Sequence, residues 1–144
     1  MKNTLQQKAQ LFFKHLNFKK LTAIQDLTYS RTMNNEDLIV QSATGSGKTH
    51  AFLFPLMDKI ETSKKYTQAM IIAPTRELSM QLYNFASEMN EIDSDLSISL
   101  LIGGQERAKT LIDSHIVIGT PGRLNDEFKS GMLLAQSTET VIID

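Results

Sequence analysis

Apolar residues change their spacing several times along the chain, and each change marks an element. Leu5, Ala9, Phe12, Phe13 and Leu16 recur at helical spacing behind Thr4, a residue type suited to an N-cap. A second helix is predicted from near Thr22 to about Met33, ended by the turn-forming pair Asn34-Asn35. From there, short apolar runs alternate with amphipathic stretches. Leu38-Ile39-Val40 reads as a strand, followed by a glycine-rich loop and a helix from Lys48 to about Ile60. Ala69 to Ala73 reads as a strand with a helix from Arg76 to about Asn90 behind it. Leu96 to Ile102 is the next strand, then Gly103-Gly104 and a short helix through Leu111. Ile116-Val117-Ile118 is followed by Thr120-Pro121-Gly122 and another short helix, and Val141-Ile142-Ile143 is a fifth strand. The polar segment Glu61 to Gln68 is the expected mobile loop.

Strands this short and this continuously apolar, separated by helices, predict an α/β fold: a parallel β-sheet with helices on both faces. Ligands of such sheets bind at the carboxyl ends of the strands. The four polar loops of interest all fall at those ends.

Composition narrows the picture. The 144 residues are enough for one domain or part of one, and an apolar share of 41% with 22% charged residues fits a folded chain. The net charge of −1 means that any nucleic-acid surface must be local. No cysteine is present, so disulfides and thiol chemistry are excluded. No apolar run reaches the ~18 residues of a membrane helix, and a cytoplasmic location is the default expectation. His15, His50 and His115 show no ligand spacing, and Met70, Met80 and Met89 are expected to fill the core. The pairs Lys19-Lys20 and Lys64-Lys65 are expected on solvated faces.

The candidate chemistry begins with Ser42-Ala43-Thr44-Gly45-Ser46-Gly47-Lys48-Thr49, placed between a strand and a helix. Glycines there let backbone N–H groups turn around phosphate oxygens, and the helix N-terminus adds a favourable dipole. Lys48 would reach the β- and γ-phosphates of a nucleotide, and the Thr49 hydroxyl would ligate magnesium. Asp144 closes an apolar strand where a second magnesium ligand is expected. Pro74-Thr75-Arg76-Glu77 can be read as plain capping, but Arg76 is a cation opposing a helix dipole, which a bound phosphate would explain. Gly103-Gly104 and Thr120-Pro121-Gly122-Arg123 add amides, a hydroxyl and a second arginine at neighbouring strand ends. Together they form the footprint expected for a nucleic-acid backbone.

These motifs, in this order, resemble the first RecA-like domain of DEAD-box ATP-dependent RNA helicases, from Asn17 onward. Phe18 to Gln25 resembles the Q motif, Ser42 to Thr49 motif I, Pro74 to Gln81 motif Ia, and Gly103-Gly104 the GG motif. Thr120 to Arg123 resembles motif Ib, and Val141 to Asp144 the opening of motif II, with the chain stopping at its first aspartate. The resemblance implies N-terminal helices over 1–33, with the Q motif at 17–25, and a partial RecA-like ATP-binding domain over 34–144. It implies ATP and Mg2+ as cofactors, with Gln25 reading adenine, Thr22 supporting the phosphate loop, and Lys48 and Asp144 as catalytic groups. It further implies that Thr75, Arg76, Gly104, Thr120 and Arg123 grip the sugar-phosphate backbone of single-stranded RNA without reading bases. A second RecA-like domain is expected in the whole protein, and turnover by these residues alone is not. Asn17 and Leu21 stand where the family usually has glycine and proline, Ser42 where motif I usually has glycine, and the aromatic that stacks on adenine is missing. Two other readings use the same residues: a stand-alone nucleotide- or RNA-binding module, and part of a DNA-directed superfamily 2 motor.

Overall fold

A computed structural model describes residues 5–104, 113–133 and 135–144. The chain forms two compact units, Met1–Lys59 and Ile60–Asp144, a division later than the one at 33/34 suggested by the motifs.

The first unit is helical: α1 (Gln7–His15), α2 (Ala23–Met33) and α3 (Lys48–Lys59). Helix α1 is capped from a distance. Gln6, at its N-cap, makes no side-chain cap bond, and Thr4 lies outside the described residues. Instead, Asp58 on α3 accepts the Lys8 and Ala9 backbone N–H groups on Oδ1, at 3.0 and 3.1 Å. Its Oδ2 accepts the Tyr29 hydroxyl at 2.7 Å, and the Tyr29 oxygen accepts the Gln6 N–H at 2.8 Å. One carboxylate thus answers the orphan donors of α1 and ties it to both other helices. Burial of Tyr29, helped by its bond to Asp58, raises the phenol well above its ordinary pKa.

Helix α1 ends at Asn17, whose φ of 57° is left-handed and whose N–H donates to the Lys14 carbonyl at 3.0 Å. Asparagine tolerates that conformation better than other residues with a Cβ, so it can stand where glycine is usual. Behind it, Phe12, Phe18 and Phe54 pack edge-on or tilted around His50, with Phe13 against Phe18 and Phe54, the nearest ring pair being Phe18 and His50 at 5.1 Å.

The strand expected at Leu38-Ile39-Val40 does not form. These residues run without regular structure, and Ile39 is fully exposed. The first unit has no strand among its described residues with which they could pair, and an extended segment becomes a strand only through a partner's hydrogen bonds.

The second unit is built on a sheet of β1 (Ala69–Ile72), β2 (Ile98–Leu101), β3 (Ile116–Gly119) and β4 (Thr140–Ile143). Its order is β2-β3-β1-β4 with every pairing parallel. Helix α4 (Arg76–Ser87) carries the chain from β1 past β3 to β2, and α5 (Pro121–Lys129) carries it from β3 past β1 to β4. The two crossovers run in opposite directions, so the right-handed rule puts α4 and α5 on opposite faces of the sheet. The α5 side holds a cluster of Met70, Leu101, Val117, Leu124 and Leu133. Gly119 has no room for a side chain: a Cβ there would lie 2.4 Å from the Leu101 carbonyl oxygen. The expected short helix through Leu111 lies outside the described residues. Met70 and Met89 are buried as expected, but Met80 is exposed on α4.

Segment 61–68, expected to be mobile, is stapled by one side chain. The buried Gln68 amide accepts the Glu61 N–H at 2.9 Å and donates to the Glu61 and Lys64 carbonyls at 2.9 and 3.2 Å. A polar stretch whose polarity satisfies its own backbone is a turn, not a tether.

At the amino end of the sheet, buried His115 accepts the Ser97 N–H on Nδ1 at 2.9 Å, with Nε2 facing the Thr62 carbonyl at 3.2 Å. This fixes the neutral Nε2–H tautomer, because a proton on Nδ1 would meet the Ser97 donor head-on. Burial lowers the His115 pKa; Thr62 opposes that, Lys65 adds to it, and Asp93 and Asp113 oppose it. The unfolded chain, titrating near about 6.5, therefore takes up its proton first as pH falls. Stability from this site is complete above that value and is lost as pH drops through it toward the folded pKa. Thermal melts between about pH 7.5 and 5.5 should show a falling midpoint, and His115→Gln should flatten part of that fall.

Candidate functional site

In the first unit, the loop of residues 42–49 turns on Gly45 and Gly47, with φ of 81° and 91°. Left-handed residues of this kind let a backbone curl around an anion, and α3 starts at Lys48 with no acidic residue in its first turn. The loop is closed on itself. Lys48 Nζ donates to the Ser42 carbonyl at 2.9 Å, and the Ser42 and Ser46 hydroxyls are 2.6 Å apart. A serine in place of the usual first glycine therefore closes one end of the loop. Ala43, Thr44 and Gly45 are exposed, and Ser46, Gly47, Lys48 and Thr49 are half-buried.

Thr22 and Gln25 brace this loop. The Gln25 N–H donates to Thr22 Oγ1 at 3.3 Å and Gln25 Oε1 accepts the Thr22 N–H at 3.0 Å, a capping box that starts α2. The same amide donates from Nε2 to the Gly47 carbonyl at 3.2 Å. Gln25, the side chain expected to meet adenine, is 2% exposed and bonded to the glycine loop. The spacing Thr-x-x-Gln carries the capping signal in the sequence; the grip on Gly47 has no sequence signal.

In the second unit, parallel pairing brings the ends of all four strands to one edge. Thr75 Oγ1 caps α4 by accepting the Leu78 N–H at 3.1 Å, which is the plain capping role. Arg76 is exposed, and its guanidinium lies along Gly104, whose Cβ position falls 3.7 and 3.8 Å from the two terminal nitrogens. Gly104 has φ 83° and is exposed, as is Gly103. Thr120 sits at the N-cap of α5 without a capping bond from its side chain. Arg123 turns inward: Nε donates to Glu127 Oε1 at 2.7 Å and Nη1 to the Ile102 carbonyl at 2.9 Å. Asp144 is exposed past the end of β4, its N–H held by the Ile72 carbonyl at 2.9 Å.

Two units therefore carry two sets of groups: a glycine loop with its brace, and a polar sheet edge with two helix N-termini. The family model described as DEAD/DEAH box helicase matches residues 22–144. The chain belongs to the DEAD/DEAH box helicase family. It is 41% identical over 135 residues to the DEAD-box ATP-dependent RNA helicase CshB of Staphylococcus aureus, covering 91% of this chain and 30% of that protein. The CshB of Bacillus subtilis is 39% identical over a similar span, 31% of its length. A solved DEAD box protein from the hyperthermophile Methanococcus jannaschii matches with a TM-score of 0.88 and 30% identity, over 99% of this chain and 40% of that one. The Saccharomyces cerevisiae Dbp5 structure bound to RNA and ADP BeF3 matches with a TM-score of 0.89 at 24% identity, over 98% and 36% of the two chains. That last likeness shows the fold, and the fold is the RecA-like one.

Glu127, which pairs with Arg123, was visible in the sequence only as a helical i, i+4 spacing. Asp58, which caps α1 across fifty residues, had no local signal at all. Among the described residues, no cluster of three His, Cys, Asp or Glu could hold a metal, and no helix is long and apolar enough to cross a membrane.

The brace between Gln25 and Gly47 makes a quantitative prediction. Gly47→Ala adds a Cβ 2.5 Å from Gln25 Nε2 at a left-handed residue, and should destabilise by about 1–3 kcal/mol. In a Gln25→Ala background the clash disappears but the backbone strain remains. Urea unfolding of the four proteins in this cycle should show a smaller Gly47→Ala cost in that background than in the chain that keeps Gln25.

Proposed function

We propose that this chain is the ATP-binding and RNA-gripping N-terminal part of an ATP-dependent RNA helicase, located in the cytoplasm. The observation that carries the reading is the phosphate loop: Lys48 at a helix start, reaching across two left-handed glycines to the Ser42 carbonyl. The names of the CshB relatives and the RNA and ADP BeF3 bound to Dbp5 point the same way.

The residues fit a magnesium nucleotide. Backbone amides of residues 43–48, the Lys48 ammonium and the Thr49 hydroxyl are donors and ligands of the kind that hold phosphates and magnesium. Such a nucleotide brings the γ-phosphoryl group and a metal that offsets charge developing on it. Lys48 would exchange its bond to the Ser42 carbonyl for phosphate oxygens, leaving that carbonyl to solvent or to the loop's own rearrangement. Gln25, released from Gly47, would have an amide able to donate and accept at an adenine edge. Asp144 supplies a carboxylate of the type that ligates magnesium directly or through water.

The sheet edge fits a single RNA strand. Thr75, Arg76, Gly104 and Thr120 offer hydroxyls, amides and one exposed guanidinium, and none of these reads a base. Binding of this kind is set by phosphates and is insensitive to sequence. Because the chain spans 30% of the S. aureus relative, duplex separation is assigned to the whole protein, with a second RecA-like domain completing the site.

Calorimetry on the full chain tests the first half of this reading. Mg2+–ADP should bind, and Lys48→Ala should weaken binding by tenfold or more, about the worth of one charged hydrogen bond. Absence of binding to the unaltered chain would overturn it. For the whole protein, phosphate release should rise with single-stranded RNA and not with DNA of the same sequence. Equal stimulation by both would instead favour a DNA-directed motor, and binding without any turnover would favour a stand-alone module.

A further inference from the structure

Arg123 is a positively charged residue at the strand edge assigned to RNA, yet its guanidinium is directed into the protein. Its side chain is 11% exposed, and that of its partner Glu127 is 2% exposed. The pair is short, with Nε to Oε1 at 2.7 Å, and both residues lie on α5 one turn apart. Burying two charges is costly unless both are well hydrogen-bonded, so the geometry of this pair is tightly set. What the pair holds is the Ile102 carbonyl, which accepts Nη1 at 2.9 Å.

Ile102 is the residue before Gly103-Gly104. The exposed glycine turn is therefore tethered from within by Arg123 and flanked outside by Arg76, whose guanidinium passes within contact distance of the Gly104 Cβ position. A glycine turn has no side chain of its own to hold it in place, and its conformational freedom must be removed by something else.

We propose that Glu127 is a positioning residue for RNA binding: it orients Arg123 so that the guanidinium anchors the Gly103-Gly104 turn, leaving Arg76 as the arginine that meets phosphate. Arg123 then contributes order to the edge and no charge to the RNA. This rests on the proposed RNA-binding function, and adds to it a division of labour between two arginines that look equivalent in the sequence.

Salt dependence separates the two roles, because each phosphate neutralised on a single strand contributes a slope of about −0.7 to log K against log salt. The experiment uses the full chain, a fluorescent oligouridine, anisotropy titrations over a range of salt, and backbone 15N relaxation at Gly103 and Gly104. Arg76→Ala should make the slope shallower by about 0.7. Glu127→Ala should weaken binding roughly tenfold, the loss of one charged hydrogen bond, with the slope unchanged and with new mobility at Gly103 and Gly104. Glu127→Gln, which keeps an acceptor for Nε, should restore most of the affinity.

The inference is overturned if Glu127→Ala tightens binding and steepens the slope, since Arg123 would then be a phosphate cation held in reserve. It is equally overturned if only the melting temperature falls while affinity and turn mobility stay as they were. If Glu127→Ala does not fold, the double variant Arg123→Met with Glu127→Leu replaces the pair by apolar side chains of similar size. Unchanged slope with a mobile turn supports the tether; a slope shallower by about 0.7 rejects it. If the unaltered chain binds no RNA, the function proposed above fails, and turn mobility alone decides whether Glu127 anchors Gly103-Gly104.

Discussion

Parallel strand pairing is the constraint from which the second unit's chemistry follows. Because β1, β2, β3 and β4 all run the same way, the loops after them must leave from one edge. Each loop there begins where apolar strand gives way to polar chain, and two of them start helices α4 and α5. The edge thus gains two helix N-termini without any residue having been chosen for charge. The register that achieves this is kept by close contact: β3 is buried along its length, and Gly119 lets it approach the Leu101 carbonyl more nearly than any side chain would allow. A net charge of −1 is compatible with an anion-binding edge for the same reason. Among the described residues of that edge, oriented amides and the exposed Arg76 are groups that would favour an anion without any excess of basic residues in the chain.

How much of this could be read from the sequence depends on the range of the interaction involved. The turn of the loop at Gly45 and Gly47 and the helix start at Lys48 were legible because glycines act through their own backbone and their immediate neighbours. The strands at Ala69 and Ile116 were legible because burial on both faces leaves an apolar run, and those at Ile98 and Thr140 because β-branched and aliphatic residues cluster there, although Val141 and Ile143 of β4 are exposed. Leu38-Ile39-Val40 has the same composition but no strand, since pairing is a property of two segments and an apolar run reports only one. Met80 was expected in the core by residue type alone, but it lies on the face of α4 opposite Leu78, Leu82 and Ala86 and is exposed. Asp58 and Gln68 were missed for a different reason. Apart from the Tyr29 hydroxyl on Asp58, their partners are backbone groups, and backbone groups have no identity in a sequence.

The site residues divide along the same line. Types and positions were legible; present partners were not. Lys48, Gln25 and Arg123 each have the chemistry expected of a ligand-binding residue, and each is bonded to a carbonyl of its own unit: Ser42, Gly47 and Ile102. These arrangements have a common cause. A donor out of reach of bulk water must find an acceptor, since leaving it unmade costs about 1–3 kcal/mol, and the nearest acceptors are main-chain oxygens of the neighbouring loop. Sequence motifs record what a residue is suited to touch, and the structure records what it touches meanwhile.

That distinction bears on how such a site discriminates. If Lys48 and Gln25 already have partners, a nucleotide gains only the difference between the new bonds and the old ones. A phosphate offers Lys48 a full charge in exchange for a neutral carbonyl, which is a large difference; an adenine edge offers Gln25 one amide-type bond in exchange for another, which is a small one. On the proposed function, affinity at this loop should come mainly from the phosphates, and base choice should be weak by construction. Arg123 lies at the other extreme. Its partners include a buried carboxylate and a buried carbonyl, so a phosphate would have to replace both and leave Glu127 without its counter-charge. On the proposed division of labour, Arg123 stays with the protein while the exposed Arg76 meets phosphate at the edge.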